Sequence, residues 1–172
     1  MDGMDGTDGA GGANDAGGAN DAGGMDDAGG MDDAGWLRLA CELAALCPPS
    51  RTAFSVGAVI VGEDGRELAR GRSREGDPHD HAEEAALAKT SGDLAGATVY
   101  SSLEPCGRRA SRPRTCAELI IASGARRVVF AWREPSLFVE GTGAEVLAAA
   151  GVEPVELPEL ADLAREPNAH LL

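Results

Sequence analysis

Apolar positions along this chain recur with two different periods. In residues 36–47 (WLRLACELAALC), Trp36, Leu37, Ala40, Leu43, Ala44 and Cys47 share one helical face, and Pro48-Pro49 stops the turn. Ala53 to Val61 (AFSVGAVIV) is dense in small and β-branched residues and predicts a buried strand. Glu63-Asp64-Gly65 then marks a hairpin, with Arg66 to Ser73 returning as a second strand. Gly57, inside the first strand, calls for close backbone approach by a ligand or by a packed helix.

After a polar loop, Arg74 to Asp80, a helix is predicted from about His81 to Ser91, with Asp80 or Asp77 as its cap. Ala97 to Leu103 (ATVYSSL) reads as a third strand and Cys116 to Ser123 (CAELIIAS) as a helix closed by Gly124. Arg126 to Trp132 (RRVVFAW) is a fourth strand, Gly143 to Ala150 a helix, and Val152 to Leu157 a fifth strand. Residues 160–172 give only a weak terminal helix and tail. Strands three to five alternate with helices and should pair in parallel, whereas the first two form an antiparallel hairpin. The expected fold is α/β: a three-layer α/β/α sandwich around a mixed five-stranded sheet, spanning residues 36–158.

The first 35 residues break this pattern. They contain only Met, Asp, Gly, Thr, Ala and Asn, and from Ala13 they repeat every six residues: ANDAGG, ANDAGG, MDDAGG, MDDAG. So little apolar surface cannot offset ordering entropy, and residues 1–35 are expected to form a disordered acidic tail. Calcium-binding solenoids use a nine-residue unit with an aliphatic position, which is missing here. At the other end, residues 159–172 are expected to form a C-terminal tail.

Charge changes the picture only in the tail. The net charge is −14; nine Asp in residues 1–35 account for −9 of it, which leaves −5 for the rest (15 Lys+Arg against 20 Asp+Glu). A mildly acidic body with few aromatics lacks both the basic face and the stacking platform of a nucleic-acid binder. No run approaches a membrane span and the N-terminus has no basic and apolar regions of a signal peptide, so a cytoplasmic protein with reduced thiols is expected.

Candidate chemistry centres on His81-Ala82-Glu83, Pro105-Cys106 and Cys116. One imidazole and two sulfurs form a three-ligand zinc set, and a zinc ion that does chemistry keeps its fourth position open. Glu83 is spaced to move a proton there instead of binding the metal. Pro105-Cys106 follows strand three, where open α/β sheets place their sites, and Cys116 opens a helix whose N-terminus favours a thiolate. Three other readings stay open: a Cys106–Cys116 disulfide, two unrelated core thiols, or a closed structural zinc using His79 or Glu83 as fourth ligand. Cys41 and Cys47, six residues apart, read as core thiols.

The pattern H-x-E…P-C…C is the signature of zinc-dependent nucleobase deaminases, except that nine residues (Gly107 to Thr115) replace the usual two between the cysteines. Over roughly Trp36 to Pro135 the chain resembles the cytidine-deaminase-like superfamily. Three stretches are similar to the pyrimidine deaminases of riboflavin biosynthesis, especially the fungal type: Thr52 to Val61, then Gly71 to Glu75 with His81 to Lys89, and Ser102 to Cys106. The long cysteine interval also suits that group. The resemblance implies that His81, Cys106 and Cys116 hold Zn2+ and that Glu83 is the proton shuttle. It further implies a dimer or tetramer, to which the apolar helix CAELIIAS and an exposed Trp132 region would contribute. The bacterial bifunctional enzyme has Asn-Pro where Ala53-Phe54 stand here, so its ring contact from Asn is not carried over. No reductase domain is expected after this domain, and reduction is expected from another protein.

Arg108, Arg109, Arg112 and Arg114 crowd the loop between the cysteines and suit a substrate phosphate, though such a run also serves as a solvated loop paired with local acids. The leading expectation is hydrolytic deamination of a phosphorylated ribityl-diaminopyrimidinone in riboflavin synthesis. A deaminase of a free nucleobase, a nucleoside or a specialised metabolite is the alternative. A zinc-stabilised scaffold with an acidic interaction tail is the non-enzymatic one, and the intact Glu83 argues against it.

Overall fold

A computed structural model of the chain describes residues 30–137 and 142–172. The elements are α1 (Asp33–Ala45), β1 (Gly57–Val61), β2 (Glu67–Arg72), α2 (Ala82–Leu87), β3 (Thr98–Ser101), α3 (Cys116–Ser123), β4 (Arg127–Phe130), α4 (Gly143–Ala149), β5 (Glu153–Glu156) and α5 (Ala161–Arg165), with single 3-10 turns flanking α5. The strands form one mixed sheet in the order β2-β1-β3-β4-β5. β1 runs antiparallel to both β2 and β3, and β3, β4 and β5 are mutually parallel. This is the five-stranded α/β sandwich the alternation of elements implied.

Two glycines show why the layers close. All five β1 residues are buried, as a strand covered on both faces requires. A Cβ at Gly57 would meet the Ala40 carbonyl and would lie 2.6 Å from Leu43 Cβ, so the close approach expected there is made by α1. A Cβ at Gly71 would lie 2.5 Å from Ala86 N, on α2. Gly71 pairs with Ala58, next to Gly57, so alternation along the strand sends α1 and α2 to opposite faces. The core between them is aliphatic, with Leu37, Ile60, Val99, Ile120, Val128 and Leu147 fully buried.

Several expected boundaries move. Helix α1 starts at Asp33, not Trp36, because the Asp32 Oδ1 accepts the Gly35 N–H at 2.7 Å and caps it. Residues 30–35 therefore belong to the domain and not to a tail; the rest of the expected disordered tail, residues 1–29, lies outside the described residues. Helix α2 ends at Leu87, and its N-cap position is His81. The Asp80 carboxylate instead accepts the N–H groups of Gly76 and Asp77, at 3.1 and 2.8 Å, and closes the preceding loop.

The C-terminal segment is also part of the fold. Leu160, Ala161 and Ala164 are buried, and α5 packs on α1. Buried Asn168 accepts the Ser55 N–H at 2.7 Å and donates to the Ser55 carbonyl at 3.0 Å. A weak helical pattern thus becomes fixed structure because a side-chain amide satisfies backbone next to β1. Trp132, expected to be exposed, is buried in an edge-on contact with Phe54, ring centroids 5.4 Å apart.

Asp33 ties α1 to the sheet. Its carboxylate accepts two hydrogen bonds from Arg127, at 2.8 and 2.6 Å, and one from the Tyr100 hydroxyl at 2.7 Å. The Arg127 guanidinium holds the Asp33 carboxyl below the ordinary value of 3.8. Its contribution to stability is thus complete above the unfolded value near 3.8 and is lost as pH falls through the lower folded one. Charged hydrogen bonds contribute about 1.5–3 kcal/mol, which solvent screening at this half-buried pair reduces to roughly 1–2 kcal/mol. Asp33→Asn should therefore melt about 2–6 °C below the wild type at pH 7. The gap should narrow below about pH 4, as Asp33 itself becomes neutral. Melting curves of both proteins from pH 7 to 3.5 test this, and a gap that stays constant to the lowest pH would refute the charge-based account.

Candidate metal centre and active site

Three loops at one edge of the sandwich bring the candidate ligands together. β3 ends at Ser101, and the chain continues through Glu104-Pro105 to Cys106 at the carboxyl end of the strand. His81 stands at the head of α2 and Cys116 is the first residue of α3. A capping box sets that helix start: Thr115 Oγ1 accepts the Glu118 N–H at 3.2 Å while Glu118 Oε2 accepts the Thr115 N–H at 2.8 Å. The Cys116 N–H then points at Cys106 Sγ, 3.3 Å away, so the helix terminus stabilises negative charge on that sulfur.

His81 Nδ1 lies 3.5 Å from Cys106 Sγ and 3.4 Å from Cys116 Sγ, and all three donor atoms fall within 4.8 Å of one another. A tetrahedral zinc with bonds of about 2.0–2.1 Å to nitrogen and 2.3 Å to sulfur puts neighbouring N and S atoms roughly 3.6 Å apart. The residues present fit that ion. The hydrogen bond between the two thiols, together with His81, pulls the Cys106 thiol down, while the same bond to Cys106 and burial push Cys116 well up. Both cysteines are free, and among the described residues this is the one His/Cys/Asp/Glu group placed to hold a metal. Among the described residues no fourth protein ligand joins it; the exposed His79 faces Asp77 instead, Nδ1 to Oδ1 3.3 Å. Cys41 lies outside the group, with its thiol pushed up to about 12 by burial.

Glu83 lies on the first turn of α2, is 3% exposed, and accepts a hydrogen bond from Ser101 Oγ at 2.8 Å. Burial raises its carboxyl above the usual range, against the opposing pull of His81. His81, Glu83 and Cys106 line one cavity of about 500 Å³, together with Phe54, Leu103 and Glu134. A buried carboxylate, two metal donors backed by a third and a ring-sized apolar wall in one cleft are the parts of a site that can activate water against a flat substrate.

The four arginines divide. Arg108 and Arg109 line the cavity; Arg112 and Arg114 do not. The Arg109 side chain is 2% exposed and binds Glu84 Oε2 at 2.9 Å and the His79 carbonyl, with its Nη1 left without a hydrogen-bond partner among the described residues. Arg112 pairs with Asp80 at 3.0 Å, Asp77 at 3.3 Å and Glu84 at 3.4 Å. Arg114 reaches the Glu118 carbonyl at 3.4 Å. Much of the loop's charge therefore fastens it to the start of α2.

Sequence reasoning passed over Ser101, Glu104 and Glu134. Glu104 is 2% exposed and accepts the N–H groups of Glu134 and Ala144, at 3.0 and 2.9 Å. Glu134 follows β4, the neighbour of β3, and burial pushes its carboxyl up to about 8. Its position just past the carboxyl end of a parallel strand was the available signal. For Ser101 there was none, since nothing local distinguishes it from Ser102.

A family profile described as the cytidine and deoxycytidylate deaminase zinc-binding region matches residues 31–132, more than half of the chain. The diaminohydroxyphosphoribosylamino-pyrimidine deaminase of Schizosaccharomyces pombe is 39% identical over 118 residues, which cover 66% of this chain and 29% of that protein. The chain spans less than a third of the length of the curated relatives it matches. Among solved structures, Acinetobacter baumannii RibD superposes with a TM-score of 0.68 at 34% identity, covering 81% of this chain and 39% of that one. Aspergillus oryzae Rib2 deaminase, a C-terminal deletion mutant, gives 0.70 at 26% identity, covering 79% and 90%. With a matched region that takes in His81, Glu83, Cys106 and Cys116, the chain belongs to the cytidine and deoxycytidylate deaminase zinc-binding family.

Proposed function

We propose that this protein catalyses zinc-dependent hydrolytic deamination of an aminopyrimidine, the phosphorylated ribityl-diaminopyrimidinone of riboflavin biosynthesis. The observation that carries the reading is the buried Glu83 carboxylate sharing one cavity with the metal donors His81 and Cys106, backed by Cys116. A zinc ion bound there supplies a Lewis acid that makes water nucleophilic near neutral pH. His81, Cys106 and Cys116 are the residues that would hold it. Glu83 takes one proton from the attacking water and passes it to a ring nitrogen; it then takes the second proton from the added hydroxyl and passes it to the departing amine, so that the C–N bond breaks, ammonia leaves and a carbonyl remains. Ser101 fixes the orientation of that carboxylate through its 2.8 Å hydrogen bond. Phe54 and Leu103 give the ring an apolar wall. The substrate class rests on the similarity to the fission-yeast deaminase and to RibD and Rib2.

Arg108 and Arg109 are the groups placed to take the phosphate, Arg109 through its unpartnered Nη1. A second reading, deamination of a free nucleobase, is favoured by the acids that already occupy Arg112 and most of Arg109. Arg108→Ala separates the two. One lost charge-assisted contact should lower kcat/KM about 10- to 150-fold for the phosphorylated substrate and leave the dephosphorylated analogue unaffected. Arg114→Ala, off the cavity, should change neither. Equal losses on both substrates would favour the free-base reading.

A further inference from the structure

Four carboxylates line the cavity, and three of them have partners. Glu83 is held by Ser101, Glu104 by two backbone N–H groups, and Asp80 by its own loop and Arg112. Glu134 is the exception. Its Oε2 is buried and has no hydrogen-bond partner among the described residues. The bond that anchors this turn to Glu104 is made by the Glu134 backbone N–H and not by its side chain. An unpaired buried acceptor destabilises the folded chain, so its partner is to be sought in a ligand.

The chemistry of that partner is constrained. An ionised carboxylate accepts and does not donate; burial pushes this carboxyl up to about 8, so a ligand that offers an N–H there is what holds it ionised, and the ionised form repels a phosphate. An aminopyrimidine presents N–H donors along its amino-bearing edge, while its phosphate suits Arg108 and Arg109 on the same cavity wall. We propose that Glu134 is a substrate-recognition residue whose Oε2 accepts a hydrogen bond from the amino-bearing edge of the ring, setting which way round the substrate lies between the metal donors and the arginine loop. This rests on the aminopyrimidine-deaminase reading above and adds to it a residue that selects ring orientation.

The experiment compares zinc-loaded wild type with Glu134→Met, which keeps the volume without a polar atom, and Glu134→Gln, which keeps an acceptor without the charge. Ammonia release from the phosphorylated ribityl-diaminopyrimidinone, zinc content and Tm are measured for each. The expected result is a kcat/KM lowered about 10- to 150-fold in Glu134→Met and by less in Glu134→Gln. Zinc should stay at wild-type levels in both, and Tm should be equal to or above wild type, since the unpaired carboxylate is gone. Unchanged kinetics in Glu134→Met would overturn the proposal while the deaminase reading stands. A lowered Tm in both variants would overturn it too, by making Glu134 a structural residue. If the wild type releases ammonia only from a different aminopyrimidine, the substrate assignment falls and the same comparison on that compound decides the role of Glu134. If it turns over none, both readings fall.

Discussion

Replacing Glu83 by Gln should lower kcat by about 10²–10⁴-fold while leaving zinc content and Tm close to wild type. The amide has nearly the shape of the carboxylate and can still accept the Ser101 hydrogen bond, seen at 2.8 Å, so the cleft stays intact. What it lacks is a site for a proton in transit: deamination needs one group that carries a first proton from water to the ring and a second from the added hydroxyl to the amine. Burial keeps the Glu83 carboxyl raised above its ordinary value, in the direction that suits a group asked to hold and release a proton. KM should change little, because the loss falls on the chemical step and not on ground-state binding. Steady-state ammonia release and elemental analysis on the same preparation decide the matter. A variant that keeps its turnover removes Glu83 from the mechanism, and one that loses its metal makes it a ligand.

The second large effect concerns the metal itself. Cys116→Ser and Cys106→Ser each replace a thiolate by a hydroxyl that stays protonated and binds zinc weakly. Wild-type protein purified without added metal should carry about one zinc per chain; either variant should carry almost none and release no detectable ammonia. Stability should follow, because a ligand that binds only the folded chain stabilises it by mass action. Chelation of the wild type should therefore lower Tm by several degrees, and added zinc should restore it in the wild type only. Cys41→Ser is the control: Cys41 is buried on α1, away from the donor group, and its loss should leave zinc untouched. A full equivalent of zinc in Cys116→Ser would dismantle the assigned ligand set.

Much of this was legible in residue order. GAVIV announced a central strand because a strand covered on both faces can hold only apolar side chains, and all five residues are buried. CAELIIAS followed by Gly124 announced a helix and its stop, and Gly124 takes the left-handed conformation at φ 87°. The candidate donor set was readable because few side chains ligate zinc, and the structure brings the donor atoms of His81, Cys106 and Cys116 within 4.8 Å of one another.

Residue order by itself therefore determined the element types, the alternation that makes the mixed sheet, and the candidates for metal donors and proton carrier. Tertiary closure decided the rest. Asp33 meets Arg127 across 94 positions and Asn168 meets Ser55 across 113, and such pairs turned two supposed tail segments into parts of the domain. The same closure settled which arginines face the cavity, since Glu84, Asp77 and Asp80 captured Arg112. It also left the buried Glu134 Oε2 without a hydrogen-bond partner among the described residues. Periodicity reports how a segment is buried relative to its own neighbours; which polar group finds a partner depends on the folded path of segments far apart in the chain, and no local pattern encodes it.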